Sequence, residues 1–195
     1  MNKFIILSVF LLIAITSPAQ NIPTGLNVQD KAPDFSAKDQ YEKTVSLKDK
    51  LAQGPVVLVF YRGQWCPHCN RFLKRLEDSL SLLQAKDATV ITVTPEKQDN
   101  IAKTIKKTKA SYPVLFDEGL KIMNHYKVSY AVDDNTIEKY KKYGINFSEA
   151  NGSENGANLP IPAVYVINKE GIIVYRFFDA DYSKRPSVKE ILAHL

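Results

Sequence analysis

The sequence predicts an α/β fold with a central, mixed and mostly parallel sheet flanked by helices. Three observations carry that expectation. Residues 56–61 (VVLVFY) form an unbroken run of β-branched and aromatic residues, which suits a strand buried on both faces. From Cys69 onward, Phe72, Leu73, Leu76, Leu80 and Leu83 recur at helical spacing, so a long amphipathic helix follows that strand. Ala163–Ile167 and residues 172–178 are two further apolar runs joined by Asn168-Lys169-Glu170-Gly171, short enough for an antiparallel hairpin.

The remaining elements follow in order. Residues 20–31 read as an extended leader. Gly54-Pro55 is a turn before the first long strand. Residues 89–93 (TVITV) are a second strand, and 101–109 a helix in which Ile101 and Ile105 stand one turn apart among lysines. Val114–Phe116 is a third strand after Pro113. Residues 120–126 form a helical turn. Ser187 and Glu190 have the capping-box spacing that starts a last helix. Strand, helix, strand, helix, then hairpin and helix is an α/β order with an antiparallel edge. Residues 130–158 interrupt it. The stretch NFSEANGSENGANLP is rich in Asn, Gly and Ser and predicts a mobile loop over about 144–158.

Composition narrows the classes. In 195 residues, 45% are hydrophobic, with eight Gly and ten Pro, which excludes a collagenous or wholly disordered chain. Two cysteines cannot build a disulfide-dense scaffold or by themselves close a four-ligand zinc site. The N-terminus carries Lys3, then an apolar run over residues 4–15, then Ser17 and Ala19 two apart. That is the pattern of a secretory signal cut after Ala19. An uncleaved membrane anchor is the alternative, disfavoured because a span needs about 20 apolar residues. Residues 20–195 are then one exported domain, periplasmic or secreted. The net charge of +5 is modest. Its lysines cluster over 97–109 and 138–142 without a nucleic-acid motif, so they read as solvated helix faces and no nucleic-acid partner is expected.

The chemistry sits in Phe60-Tyr61-Arg62-Gly63-Gln64-Trp65-Cys66-Pro67-His68-Cys69. Two cysteines three apart lie where the first long strand hands over to a helix. Across a first helical turn their Cα atoms come within about 7 Å, close enough for a disulfide. The free N–H groups and positive end of the helix stabilise a thiolate. Pro67 suits the first helical position. Between Gly54 and Leu76 there is no Asp or Glu, whereas Arg62, His68, Arg71, Lys74 and Arg75 all lie there. A structural disulfide over so short a loop stabilises little, and a metal site lacks a second ligand pair. The strand–turn–helix context favours a redox pair with no metal and no cofactor.

Trp-Cys-x-x-Cys at such a junction resembles the thioredoxin superfamily. The wider pattern resembles its peroxiredoxin-like branch, the alkyl hydroperoxide reductase and thiol-specific antioxidant type. The matching segments are Ala32-Pro33-Asp34-Phe35, Val45-Ser46-Leu47, residues 57–61, Tyr112-Pro113-Val114-Leu115-Phe116-Asp117 and residues 163–171. The resemblance implies a thioredoxin-like fold and thiol-dependent redox chemistry. It also exposes departures. Peroxiredoxins carry Pro-x-x-x-Thr-x-x-Cys and a distant Arg. Aligning Phe60-Tyr61 puts Arg62 on the Pro, Cys66 on the Thr and Cys69 on the peroxidatic Cys, and the distant Arg falls near Pro162. Pro162 instead resembles the thioredoxin Ile-Pro, whose proline is cis and packs against the disulfide.

Two enzymatic expectations follow. In the first, Cys66, at the exposed helix start, attacks a protein thiol–disulfide substrate and Cys69 resolves the mixed disulfide. Trp65 and Pro162 shape the site, and His68 with Arg62 tunes the thiolate; Pro-His between the cysteines resembles the strongly oxidising periplasmic oxidases. In the second, Cys69 attacks a hydroperoxide and Cys66 condenses with the sulfenic acid. Either needs an external thiol reductant or oxidant. A non-enzymatic binding module is the third reading, although such a module would need neither cysteine.

Overall fold

In the computed structural model, residues 23–195 are described; the expected export signal lies outside them. The elements in chain order are β1 (Ser36–Lys38), β2 (Thr44–Ser46), α1 (Leu47–Leu51), β3 (Val56–Phe60), α2 (Pro67–Asp78), α3 (Leu80–Gln84), β4 (Thr89–Thr94), α4 (Gln98–Thr108) and β5 (Val114–Phe116). There follow α5 (Lys121–His125), β6 (Ser129–Ala131), α6 (Asp134–Lys142), α7 (Phe147–Asn151), β7 (Asn158–Pro160), β8 (Ala163–Ile167), β9 (Ile173–Phe178) and α8 (Val188–Leu192).

The five-stranded sheet runs β5-β4-β3-β8-β9. β3 pairs in parallel with β4, and β4 with β5, while β8 is antiparallel to both β3 and β9. Four strands therefore share one direction. The odd strand lies inside the sheet, because the hairpin packs its first strand onto β3 and leaves β9 outermost. All five residues of β3 are buried. Val56, Leu58 and Phe60 enter one core with Ile91, Val93 and Tyr165. Val57 and Val59 enter the other with Cys66, Cys69, Phe72, Leu73 and Leu76. An unbroken apolar run is what a strand covered on both faces requires, and it is why the cysteine pair lies under the α2 face of the sheet.

The helix expected to continue from Cys69 through Leu83 breaks at Ser79, which closes α2 and opens α3 with φ −111° and ψ 10°. Leu76 and Leu83 stay buried on either side. α4 presents its lysines to solvent and buries Ile101, Thr104 and Thr108.

The mobile loop expected at 144–158 is instead folded. Residues 129–160 form a two-stranded antiparallel ribbon, β6 with β7, enclosing α6 and α7. Its polar residues act as internal fasteners. Asn155 is fully buried; its amide donates to the carbonyls of Pro95 (2.8 Å) and Asp117 (3.0 Å) and accepts from the Gly119 N–H (2.8 Å). Asn151 donates to the carbonyls of Gly156 and Asn158. Asn and Gly composition signals irregular backbone, and irregular backbone that is buried must satisfy its polar groups with side chains. Asn155→Ala strands the buried Pro95 carbonyl and the half-buried Gly119 N–H, while the Asp117 carbonyl keeps the Leu120 N–H. At about 1–3 kcal/mol for a stranded group, urea denaturation should show a loss of at least about 2 kcal/mol. A change below about 0.5 kcal/mol, the usual range for surface substitutions, would show that the segment is not pinned there.

Candidate active site

β3 delivers the chain to Tyr61, and the next four residues turn it into α2. Cys66 is the N-cap of α2: its Sγ accepts the Cys69 N–H (3.3 Å), and Pro67 occupies the first turn, where no N–H is needed. Cys66 and Cys69 form a disulfide with Cα atoms 5.3 Å apart. The turn is tied down from two sides. Asn70 donates to the Gln64 carbonyl (2.8 Å), and Lys107 of α4 donates to the same carbonyl (2.9 Å) and to the Gln64 side chain (2.6 Å).

The expectation of an exposed Cys66 is corrected. Cys66 is 1% exposed and Cys69 0%. The folded insertion accounts for this. Trp65 packs edge-on against Tyr140 (5.2 Å) and Phe147 (5.7 Å), so α6 walls the hollow onto which Cys66 opens while α7 backs Trp65. Cys66 lines that hollow; Cys69 lies beneath.

Arg62 is 3% exposed. It donates to the Tyr140 hydroxyl (3.0 Å) and lies over the rings of Tyr182 (4.5 Å), Trp65 (5.0 Å) and Tyr140 (5.6 Å), a setting that partly compensates a desolvated cation. His68 meets Arg71, with Nδ1 accepting at 2.9 Å, and its ring meets Tyr182 edge-on. Pro162 is buried at the start of β8, at the same sheet end, since Ala163 is the register partner of Phe60. Its expected cis peptide is not found: no cis bond occurs among the described residues. Ile161 donates to the Val128 carbonyl at 2.8 Å, so the β6–β7 ribbon carries the chain into β8 in extended form.

Two residues escaped the sequence reading. Arg185, 116 positions beyond Cys69, donates to Cys69 Sγ at 3.2 Å. It is held by the carbonyls of Tyr182 (2.9 Å) and Lys184 (2.5 Å). Burial, helped by the like charges of Arg62 and Arg75, pulls its pKa down to about 10, so it remains cationic at neutral pH. Among the described residues neither Arg62 nor Arg185 forms an ion pair with a carboxylate. The second is Glu96, which follows β4. It is fully buried, and its Oε2 accepts the Gln64 N–H at 2.6 Å while Oε1 has no partner. Burial pushes its pKa up to about 8, against the opposing pull of the Gln64 N–H, Lys103 and Lys107. The carboxyl beside the turn is thus neutral at pH 7 and leaves the positive charge uncancelled. A side chain at Gly63 would strike Trp65 Nε1 (2.6 Å) and the Glu96 carboxyl (2.7 Å), which fixes glycine at that position. No signal in the sequence marks either residue as part of the site, except that the resemblance calls for a distant Arg.

The sequence pattern of the AhpC/TSA family matches residues 28–176. The chain belongs to the AhpC/TSA family. This AhpC/TSA protein is 29% identical to peroxiredoxin Q, chloroplastic, of Triticum aestivum over 143 residues, covering 73% of this chain and 55% of that protein. It is 25% identical to the thiol-disulfide oxidoreductase ResA of Bacillus cereus over 104 residues, covering 53% and 59%. Its structure is similar to that of the peroxidoxin BcpB of Mycobacterium tuberculosis, with a TM-score of 0.65 at 19% identity, covering 86% and 94% of the two chains. The fold is thioredoxin-like. The chain spans between about half and two thirds of the length of the curated relatives it matches.

Glu96 makes a pH prediction. Its folded pKa of about 8 stands above the ordinary 4.5. The folded state therefore holds a proton that the unfolded state releases, so stability falls as pH rises from 4.5 through 8. Glu96→Gln, which keeps the acceptor, should flatten that part of the stability–pH curve. An unchanged slope in calorimetric or denaturant titrations would show that Glu96 is ionised in the fold.

Proposed function

We propose that this protein is a thiol–disulfide exchange enzyme in which Cys66 attacks and Cys69 resolves. The observation that carries the reading is the division of the pair: Cys66 lines the hollow, while Cys69 is sealed beneath it against Arg185. In the reduced enzyme the Cys66 thiolate, at the start of α2, attacks a substrate disulfide. The substrate S–S bond breaks and one thiolate leaves. Cys69 then attacks Cys66 Sγ, the mixed disulfide breaks and the second thiolate leaves. The substrate gains two electrons and the enzyme loses them. Run backwards, the same steps oxidise a dithiol. Arg185 stabilises the Cys69 thiolate in both directions, as nucleophile or as leaving group, and a better leaving group departs faster. Stabilising the dithiolate favours the reduced form, so the pair leans towards oxidising its partner. An external thiol reductant or oxidant completes the cycle.

A peroxidase is the second reading, supported by the relative named a peroxiredoxin and by Arg185. There the Cys69 thiolate attacks a hydroperoxide, the O–O bond breaks, and a sulfenic acid and an alcohol or water result. Cys66 condenses with the sulfenic acid and releases water. The sealed position of Cys69 favours exchange over this route. In either case residues 1–19 are read as an export signal, which an exported protein of mass beginning at Gln20 would support. Among the described residues no helix is long and apolar enough to cross a membrane.

Single cysteine variants test the assignment. Cys66→Ser should lose disulfide exchange by at least about a hundredfold, the scale of removing an activated nucleophile, while Cys69→Ser should trap a mixed disulfide through Cys66. A peroxide-consumption burst kept by Cys66→Ser and lost by Cys69→Ser would overturn the exchange mechanism. Wild-type inactivity in both assays would leave a binding module. In the Cys66→Ser background, Arg185→Ala should raise the Cys69 thiol pKa by about one unit, or about 1.4 kcal/mol, read from thiolate absorbance.

A further inference from the structure

The hollow beside Cys66 encloses about 360 Å³, within the lower range of small-ligand sites. Its ionisable walls are Arg62, His68 and Lys139, and no acid lines it. The positive end of α2 faces it through Cys66. Arg62 is buried there with Nε and Nη1 unpartnered, and Glu96 behind the turn is neutral below about pH 8. Of the acids on the flanking segments, Asp181 faces His68 at the rim and none reaches Arg62 or Lys139 as an ion pair. Glu138 pairs with Lys141, and Asp181 accepts from Ser183.

The remaining walls are aromatic. Tyr140 and Trp65 form the inner side, while Tyr143 and Tyr182 stand at the rim, 73% and 46% exposed. α6, which supplies Lys139 and Tyr140, has no buried residue. A helix that packs only Ile137 and Tyr140 onto a small side cluster yet walls the reactive sulfur on one side suits a role in selecting what reaches that sulfur.

We infer that this hollow selects a thiol or disulfide carrying a carboxylate close to its sulfur, with an apolar or aromatic group beside it. The inference rests on the exchange reading. The carboxylate meets the field of Arg62, Lys139 and the α2 terminus, the apolar group lies on Tyr143 and Tyr182, and the sulfur is presented to Cys66. Selection is by charge: a cationic disulfide enters a hollow that already holds uncancelled positive charge and is repelled.

The test follows Trp65, the single tryptophan of the chain, by stopped-flow fluorescence. The reduced protein is mixed with 5,5′-dithiobis(2-nitrobenzoate), 2,2′-dithiodipyridine and cystamine, each rate constant divided by that of dithiothreitol with the same disulfide. The expected result is a normalised preference of about tenfold or more for the carboxylate over the cation at low ionic strength, shrinking with salt. Lys139 is exposed, so Lys139→Glu can be made without disturbing the core, and it should cut that preference severalfold. Mixed disulfides of Glu-Cys-Phe, Gln-Cys-Phe and Lys-Cys-Phe repeat the series on a peptide. A charge preference confined to the peptides identifies a polypeptide substrate; one confined to the small disulfides identifies a small thiol. Equal normalised rates across both series overturn the inference while leaving the exchange reading intact. Failure to react with any disulfide overturns the exchange reading itself.

Discussion

A cation removed from water needs compensation, and beside this cysteine pair two cations lack a carboxylate. Arg62 is 3% exposed and Arg185 touches Cys69 Sγ. Three aromatic rings and two backbone carbonyls offset part of the cost, and Glu96, kept neutral by its own burial, offsets none of it. The anion that fits this field is a thiolate. Reduction of the disulfide supplies negative charge where the fold has placed positive charge, which ties the redox state of two sulfurs to the electrostatics of the surrounding segments.

The rest of the architecture serves that juxtaposition. β3 is buried on both faces so that its C-terminal end delivers Arg62 and the turn to the edge of both cores. α2 starts on the sulfur of its own N-cap. The ribbon and helices inserted between β5 and β8 bring Tyr140 and Phe147 over Trp65. The segment between β9 and α8 brings Tyr182 to Arg62 and Arg185 to Cys69. Two excursions from the sheet, far apart in sequence, thus close over one helix start. Membership of the AhpC/TSA family accounts for the shared sheet and helices. Around Cys69 the described contacts are those of its own helix start and of Arg185, whose guanidinium reaches the sulfur at 3.2 Å.

The sequence by itself determined the strands of the five-stranded sheet, the cysteine pair and the helix that Cys66 caps. Those features are written in local patterns: an unbroken apolar strand, a 3.6-residue period, Cys-Pro-His-Cys at a strand–helix junction. It also showed the acid-free stretch around the cysteines. The tertiary structure alone decided that 144–158 is folded, that Cys66 is nearly sealed, that Ile161–Pro162 is trans, and that Glu96 and Arg185 belong to the site. The reason is physical. An Asn-rich segment reads as a loop until its amides find buried carbonyls on other strands. The charge felt by a sulfur depends on distances in space, which no spacing along the chain encodes.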